Sequence, residues 1–361
     1  MSTVRDLIER PVSFRYGYNM QCEHCRHLTP LSASTYYREQ SRGARIKCLH
    51  CPRDIHYGPY ALALRDAADP ALDDQAARGT AWYHTSTFSC WPPSGQPMTP
   101  AEITFLSQMT PDSVGAHVRE RHENQALHLG TYEAAIESML RKMRDQDMAC
   151  ERFWLYRVAL RRNVIIERGY RNENMEEIAQ ITQAELGASG AVRYLNTWES
   201  PGSISLAVRP RSLGAVQGIP LPVEALGAGA SPSLMRKVAR IRGRIGQIQA
   251  ARQDKPDRLE QLRQRSAARL GGSLEREPTP EQARLLQEIC QLIACEYLPG
   301  VSLTVRERFS DAMFAWARAQ DPEPGDVPLM ERYSAMAALM TRPADIHRAL
   351  DAETPRQLQT W

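Results

Sequence analysis

The segment AWYHTSTFSCWPP, residues 81 to 93, decides how the middle of the chain is interpreted. Aromatic and β-branched residues fill its first half, and such residues favour a β-strand. His84 stands among hydroxyl-bearing side chains, between Tyr83 and Thr85, and two prolines then end the strand. Burying such polar groups costs free energy unless they are hydrogen-bonded. The segment therefore predicts a strand that carries a candidate ligand-binding histidine.

The length of the chain and its composition predict several regions of different character. The 361 residues exceed one ordinary hydrophobic core, so we expect two or three domains. The predicted regions are 1–60, rich in Cys, His and Tyr, 61–215, with mixed strand and helix patterns, and 228–361, helical by pattern. The Gly-, Pro- and Ala-rich residues 215–232 are typical of a linker. The expected fold class is α+β.

Four cysteines in the first region form two C-x2-C pairs, Cys22 with Cys25 and Cys48 with Cys51. Each pair can present two thiolates to one ion, and two pairs complete a tetrahedral zinc site. Four thiolates leave no open coordination position, so the spacing predicts a structural zinc ribbon. The alternative is four ordinary buried thiols. The remaining cysteines show no disulfide framework, which favours a reducing, cytoplasmic location.

Other features exclude several classes of protein. No apolar run reaches the roughly 20 residues of a membrane span, and the first residues do not have the apolar core of a signal peptide. The formal net charge of +3 is too small to imply a partner. The sequence has no G-x-S-x-G, G-x-G-x-x-G or G-x4-G-K-[ST] motif, so neither an α/β-hydrolase nor a dinucleotide-binding or P-loop fold is supported.

The segments that follow the histidine strand form an ordered series. Residues 127–143 indicate a strand end, a glycine turn and a helix that begins after Thr131, a residue suited to N-capping. Residues 152–166 contain apolar and β-branched runs typical of core strands. Residues 190–208 predict two strands around a Pro-Gly turn, with Glu199 at the rim of that turn.

This order of motifs resembles the ADP-ribosyltransferase fold of the His-Tyr-Glu type, which includes poly(ADP-ribose) polymerases and related bacterial enzymes. The motifs are YHTS at 83–86, HLGTYEAA at 128–135, LYRVAL at 155–160 and YLNTWESPGS at 194–203. The resemblance covers about 75 to 210. Within that family, a histidine strand binds NAD, a Gly-x-Tyr segment supplies an aromatic wall and a late glutamate is catalytic.

The resemblance implies a role for seven residues of this chain. Glu199 would be catalytic and would stabilise positive charge on the ribose. The NAD-binding residues would be His84, Thr85, Ser86, Gly130, Tyr132 and Asn196. Thr85 departs from the family pattern, which has glycine after the histidine. Glu133, Glu137 and Glu167 compete with Glu199 for the role of the glutamate.

The last region has helical spacing of its apolar residues and an uneven charge. Residues 231–272 hold eleven Lys and Arg against three Asp and Glu, a local excess of +8. A basic helical face favours a polyanion or a partner surface, and a helical bundle that packs on itself is the simpler interpretation.

Together these observations predict NAD-dependent transfer of ADP-ribose to a macromolecular acceptor, either protein or nucleic acid, with release of nicotinamide. Two alternatives remain open. One is a non-catalytic zinc-ribbon module that binds nucleic acid or a protein partner. The other is an NAD glycohydrolase that acts as a toxin.

Overall fold

The computed structural model describes residues 4–42, 45–56, 61–93, 124–146, 148–173, 181–254, 279–320 and 325–358, and it has mixed helix and sheet. Within these ranges, no helix is both long enough and apolar enough to cross a membrane.

Among its described residues, the N-terminal part contains two small sheets and one α-helix. Its elements are β1 (Tyr18–Gln21), β2 (Leu28–Leu31), α1 (Ala33–Ser41), β3 (Arg45–Lys47), β4 (Asp54–His56) and β5 (Leu62–Ala63). One sheet has the order β2-β1-β5, and β3 pairs with β4. The first cysteine pair lies between β1 and β2, and the second lies between β3 and β4, so each pair sits in a hairpin connection. These two connections form the two knuckles that the spacing predicts.

In the part of the middle region that the structure describes, there are two four-stranded sheets. Its elements are α2 (Asp74–Gly79), β6 (Trp82–Ser86), β7 (Leu127–Leu129), α3 (Tyr132–Asp145), β8 (Phe153–Leu160), β9 (Arg171–Asn172), β10 (Ala191–Leu195), β11 (Ile204–Val208) and β12 (Leu213–Leu221). One sheet has the order β6-β8-β12-β13, where β13 (Arg356–Gln357) comes from the end of the chain. The other has the order β7-β11-β10-β9.

Five helices follow within the described residues, as the helical spacing predicts. They are α4 (Pro232–Asp254), α5 (Pro280–Tyr297), α6 (Leu303–Arg318), α7 (Asp326–Thr341) and α8 (Pro343–Ala352). The buried residues of α4 are Leu234, Val238, Ile241 and Ile245, which recur every three or four positions and join the largest hydrophobic cluster. Residues 255–272 of the basic segment lie outside the described residues.

Apolar side chains hold these layers together. Buried residues of both four-stranded sheets, including Trp82, Tyr156 and Leu206, meet in one cluster. Residues on the other face of β8 and β12, such as Leu155 and Ile219, join the cluster that contains the helices. The sheet that carries the histidine strand is therefore covered on both faces, which gives that strand a rigid setting.

The linker predicted over 215–232 is wrong for its first residues, because β12 continues to Leu221 and pairs with β8 along its length. Pro220 is tolerated because β13 reaches only Ala215 and Val216, which leaves the far end of β12 as a sheet edge on that side. Gly218 lies against the ring of Tyr156, where an added Cβ would come within 2.4 Å of that ring.

Candidate functional site

The two four-stranded sheets meet at one point and then separate. Tyr83 of β6 and Gly130, just after β7, exchange backbone hydrogen bonds at 3.0 and 2.9 Å. In the described part of the chain this is the single bridge between the two sheets. A cavity of about 380 Å³ opens beside it, a volume typical of small-molecule sites.

Six of the seven residues that the resemblance implies line this cavity. They are His84, Thr85, Ser86, Gly130, Asn196 and Glu199. Two sheets and the loop between β10 and β11 are needed to bring them together, although they are up to 115 positions apart in the sequence.

The imidazole of His84 lies one residue past the bridge. Its Nδ1 is 2.8 Å from the carbonyl oxygen of His128, and its ring stacks on Trp91 with centroids 4.4 Å apart. Burial lowers the pKa of His84 to about 3, and the nearby cation of Lys142 adds to this effect. The ring is therefore neutral at pH 7. Because a carbonyl only accepts, Nδ1 carries the proton and Nε2 is left as an acceptor.

The two hydroxyls after the histidine bond to the protein itself. Thr85 Oγ1 donates to the carbonyl oxygen of Ala135 in α3 at 2.8 Å, and Ser86 Oγ accepts from the backbone N–H of Phe88 at 3.2 Å. Thr85 therefore anchors the strand to the helix. Its departure from the family's glycine fills space against α3, and the Lys142 ammonium donates to its carbonyl at 3.2 Å.

Gly130 lies where β7 meets α3 and allows a close approach. An added Cβ would come within 2.8 Å of Ala134 Cβ and 3.2 Å of Ser205 Oγ. The helix then begins as predicted, because the Thr131 side chain accepts from the backbone N–H of Ala134. Gly130 thus serves the packing of the cavity wall.

Tyr132 is the predicted site residue that the structure does not bring into the cavity. Its side chain is buried on the opposite side, where the hydroxyl donates to the carbonyl oxygen of Leu339 at 2.7 Å. Its ring makes edge contacts with Phe14, Tyr83 and His347. This position corrects the expected stacking on a ligand, since the first turn of α3 points the ring towards the helical part of the chain.

The loop after β10 is organised by Asn196. Its Oδ1 accepts from the backbone N–H groups of Trp198 and Glu199 at 3.1 and 2.9 Å, and its Nδ2 donates to Ser205 Oγ at 3.2 Å. This is an Asx turn. The amide of Asn196 therefore shapes the loop that holds Glu199, in addition to lining the cavity.

Glu199 is buried at the cavity wall and faces a cation. The Nε of Arg141 donates to Glu199 Oε1 at 2.5 Å. The competing glutamates, all described, do not line the cavity. Glu133 accepts from the backbone of Ser13, Glu137 is fully buried beside Arg308, and Glu167 pairs with Arg171. The geometry therefore favours Glu199 among the four glutamates.

Sequence reasoning missed several polar residues of the cavity, among them Glu173, His128 and Tyr194. Glu173 Oε2 accepts from the backbone N–H and the hydroxyl of Thr197 at 2.6 and 2.9 Å. Burial raises the pKa of Glu173 to about 7, and the nearby charge of Glu199 acts in the same direction. No local motif marks Glu173, because it reaches the cavity only through the parallel pairing of β9 with β10.

His128 adds an unsatisfied group to this wall. Its Nδ1 lies 3.1 Å from the Tyr194 hydroxyl, and its buried Nε2 has no hydrogen-bond partner among the described residues. Burial lowers the pKa of His128 to about 4, so the ring is neutral at pH 7. A buried polar atom without a partner is uncommon and indicates a place for a ligand group.

The four cysteines form a second candidate site in the N-terminal part. Their Sγ atoms all lie within 4.8 Å of one another, with Cys22 and Cys51 at 3.7 Å and Cys25 and Cys48 at 3.6 Å. A tetrahedral zinc ion with bonds of about 2.3 Å requires sulfur separations of about 3.8 Å. The cluster can therefore hold a structural metal such as zinc.

Comparison of the chain with models of protein families, with curated proteins and with solved structures found no match.

Proposed function

We propose that the chain transfers ADP-ribose from NAD to a macromolecular acceptor and releases nicotinamide. One observation carries this proposal: His84 and Glu199 come from different sheets and line the same cavity. Two sheets that diverge from one bridge also fit the expected ADP-ribosyltransferase-like core. We also propose that the chain is divided into three parts, a zinc ribbon, this catalytic core and a helical region.

The acceptor atoms of the cavity suit a nucleotide substrate. The neutral His84 ring offers Nε2 to a ribose hydroxyl, which is a donor that carries no charge. His128 Nε2 offers a second position of the same kind. Arg141 and Lys142 of α3 also line the cavity and bring positive charge to a site that would receive a pyrophosphate.

Glu199 supplies the electrostatic part of the chemistry. When the bond between the ribose C1′ and the nicotinamide nitrogen breaks, the bond electrons leave with neutral nicotinamide and positive charge develops on the ribose. A carboxylate fixed beside that ribose stabilises the charge in the transition state more than in the ground state. The Asx turn of Asn196 fixes Glu199, so the carboxylate does not need to reorganise during the reaction.

Glu173 supplies a proton acceptor for the second half of the reaction. As the acceptor nucleophile bonds to C1′, it must lose a proton. A carboxyl group with a pKa of about 7 is suited to take that proton at neutral pH. The two carboxylates lie in different environments of one cavity and would have different roles. Glu199 would stabilise the positive charge on the ribose, and Glu173 would act as the general base.

The described part of the basic segment suits a polyanionic acceptor. Arg236, Arg240 and Arg244 recur every four residues on the exposed side of α4, opposite its buried apolar residues. A row of cations one helical turn apart attracts phosphates of a nucleic acid, and such binding weakens as salt concentration rises. We therefore propose this exposed basic face of α4 as the surface that binds the macromolecular acceptor.

The test uses NAD labelled on its adenylate group, incubated with the protein and a mixed lysate, with and without nuclease. Label should transfer to a macromolecule, and Glu199→Gln should reduce the rate by about a hundredfold to a thousandfold. Glu167→Gln is the matched control, because Glu167 is partly exposed, lies outside the cavity and should leave the rate unchanged.

The two alternatives give different results in the same experiment. Free labelled ADP-ribose without labelled acceptor would indicate an NAD glycohydrolase. Intact NAD with no label on protein or nucleic acid would exclude the enzyme and leave a binding module. In that case, binding of a polyanion should be lost on reversing the charges of α4.

A further inference from the structure

The turn that follows Glu199 has an unusual backbone. Ser200 has φ of +49° and Gly202 has φ of +84°. Glycine adopts this left-handed region readily, whereas a serine there is strained and persists only when its surroundings hold it. Gly202 also has no room for a side chain, because an added Cβ would lie 2.8 Å from the carbonyl oxygen of Ala63.

Arg65 holds this turn at three points. Its backbone N–H donates to the carbonyl oxygen of Gly202 at 2.8 Å, and its Nη2 donates to Ser200 Oγ at 3.0 Å. Its Nη1 donates to the carbonyl oxygen of Pro201 at 3.4 Å. One arginine thus bonds to each of the three residues that follow Glu199.

Arg65 is tied to the strand that leads to the cysteine cluster. It follows β5, in which Leu62 and Ala63 pair with Met20 and Asn19 of β1. The Asn19 side chain donates to the carbonyl oxygen of Leu64 at 3.2 Å, one residue before Arg65. β1 ends at Gln21, directly before Cys22, the first cysteine of the cluster. The position of Arg65 therefore depends on the order of β1.

Tyr16, in the N-terminal part, also contacts the arginine that holds the turn after Glu199. The guanidinium of Arg65 lies over the ring of Tyr16, 4.4 Å from its centroid. The Tyr16 hydroxyl donates to Glu137 at 2.5 Å, and the backbone N–H of Ser200 favours the charged form of the same carboxyl group, whose pKa burial raises. The Ser200 hydroxyl is thus bonded to Arg65, and Arg65 in turn packs on a tyrosine of the N-terminal part.

We propose that the cysteine cluster, when it holds its metal, positions Glu199 in the cavity, and that Arg65 transmits this order to the strained turn at Ser200. This inference rests on the proposed function and assigns Arg65 as a positioning residue, since it touches the loop of Glu199 and not the substrate. Loss of metal should loosen β1 and β5 and allow Ser200 to relax, which withdraws the carboxylate from the ribose.

The test measures amide hydrogen exchange of the full chain, with metal bound, after chelation under reducing conditions, and in Arg65→Ala. Chelation and Arg65→Ala should both increase exchange across 196–203, whereas exchange in β8 should not change. Arg65→Lys keeps the charge but cannot bond to two points of the turn, so it should give an intermediate effect. Arg209→Ala is the matched control, because Arg209 holds the carbonyls of Gln183 and Gly187, away from this turn.

Kinetics of NAD turnover provide the second measurement. Arg65→Ala should lower kcat by about tenfold to a hundredfold with little change in KM, because small misplacements of a catalytic group carry such a cost. Unchanged exchange over 196–203 in either the metal-free chain or Arg65→Ala would overturn the inference. A wild-type chain that does not consume NAD would instead reject the proposed function, while the exchange data would still test the coupling to the metal.

Discussion

Arg141 and Glu199 form an ion pair inside the cavity, with Nε and Oε1 separated by 2.5 Å. The two partners are not equally accessible, because 38% of the Arg141 side chain is exposed and only 10% of Glu199. Glu199 is fixed by its loop, whereas Arg141 extends from α3 along the cavity wall. A bound anion would therefore draw the guanidinium away from the carboxylate, and the carboxylate would be released for the ribose.

Replacement of Arg141 tests this exchange of partners. Arg141→Ala should raise KM for NAD about tenfold, the effect of one lost charged hydrogen bond, and should leave kcat within about threefold of wild type. Steady-state kinetics separate the two constants. Arg144→Ala is the control, because Arg144 lies on the same helix but bonds to Asp145 outside the cavity. A fall in kcat with unchanged KM would contradict the assigned role.

Glu173 should make stability depend on pH. Its pKa is raised to about 7 in the folded chain, above the ordinary value of 4.5, because burial disfavours the charged form. Between these values the folded state binds more protons than the unfolded state, so stability should fall as pH rises from 4.5 to 7. Glu173→Gln removes the titrating group. The stability of this variant relative to wild type should increase over that interval, as measured by urea unfolding.

The pH dependence of stability can support or contradict the raised pKa of Glu173. If the difference between wild type and Glu173→Gln is constant from pH 4.5 to pH 7, the carboxyl group is not perturbed and loses its assignment as the base. The activity profile gives an independent test of the proposed base, since kcat of the wild type should rise with pH near 7 and this rise should be absent in Glu173→Gln.

Much of this architecture could be predicted from local sequence. The cysteine spacing predicted both knuckles, because one tight turn can deliver two thiolates. The start of α3 followed from Thr131, whose capping bond is local. The strands around the Pro-Gly turn also followed from local composition, and β10 and β11 form the predicted pair.

The remaining features depend on contacts between distant segments. Tyr132 fits a Gly-x-Tyr pattern, but which way its ring points depends on helix α7, which supplies the carbonyl of Leu339. Glu173 and Arg65 carry no motif at all. Each is positioned by the pairing of a neighbouring strand, β9 with β10 for Glu173 and β5 with β1 for Arg65. Pairing between strands so far apart in the sequence cannot be predicted from a local pattern.

The buried pair of Glu137 and Arg308 should be costly to break, because removal of either partner leaves the other buried group without its counter-charge. Glu137 is fully buried, and Arg308 of α6 bonds to it beside the Tyr16 hydroxyl. Burial raises the pKa of Glu137, and the positive charge of Arg308 opposes this effect. Arg308→Met should lower the free energy of unfolding by about 3 kcal/mol, because it leaves a buried carboxylate without its counter-charge.

A double variant separates charge from packing in this pair. Glu137→Gln combined with Arg308→Met removes both charges and should recover part of the stability that Arg308→Met loses. Chemical denaturation of Arg308→Met, of Glu137→Gln and of the double variant, each against wild type, measures the coupling. Additive losses would mean that the two side chains contribute to stability independently and do not act as an ion pair.

The metal site should determine the order of the N-terminal part. Cys22→Ser removes one of four ligands, so the purified chain should lose its bound zinc, which elemental analysis measures against protein concentration. Tyr18 of β1, the strand that ends directly before Cys22, stacks on Tyr36 with centroids 3.7 Å apart. This stack should loosen if loss of the metal disorders β1. Near-ultraviolet circular dichroism of tyrosine reports that change.

Cys295→Ser is the control for this variant, because Cys295 is exposed and lies outside the cluster. It should retain zinc in the same proportion as wild type and show the same tyrosine signal. Because metal binding and folding of such a site are coupled, thermal unfolding of Cys22→Ser should begin at a lower temperature, while Cys295→Ser should match wild type. Equal zinc content in wild type and Cys22→Ser would show that the four thiols do not form a metal site.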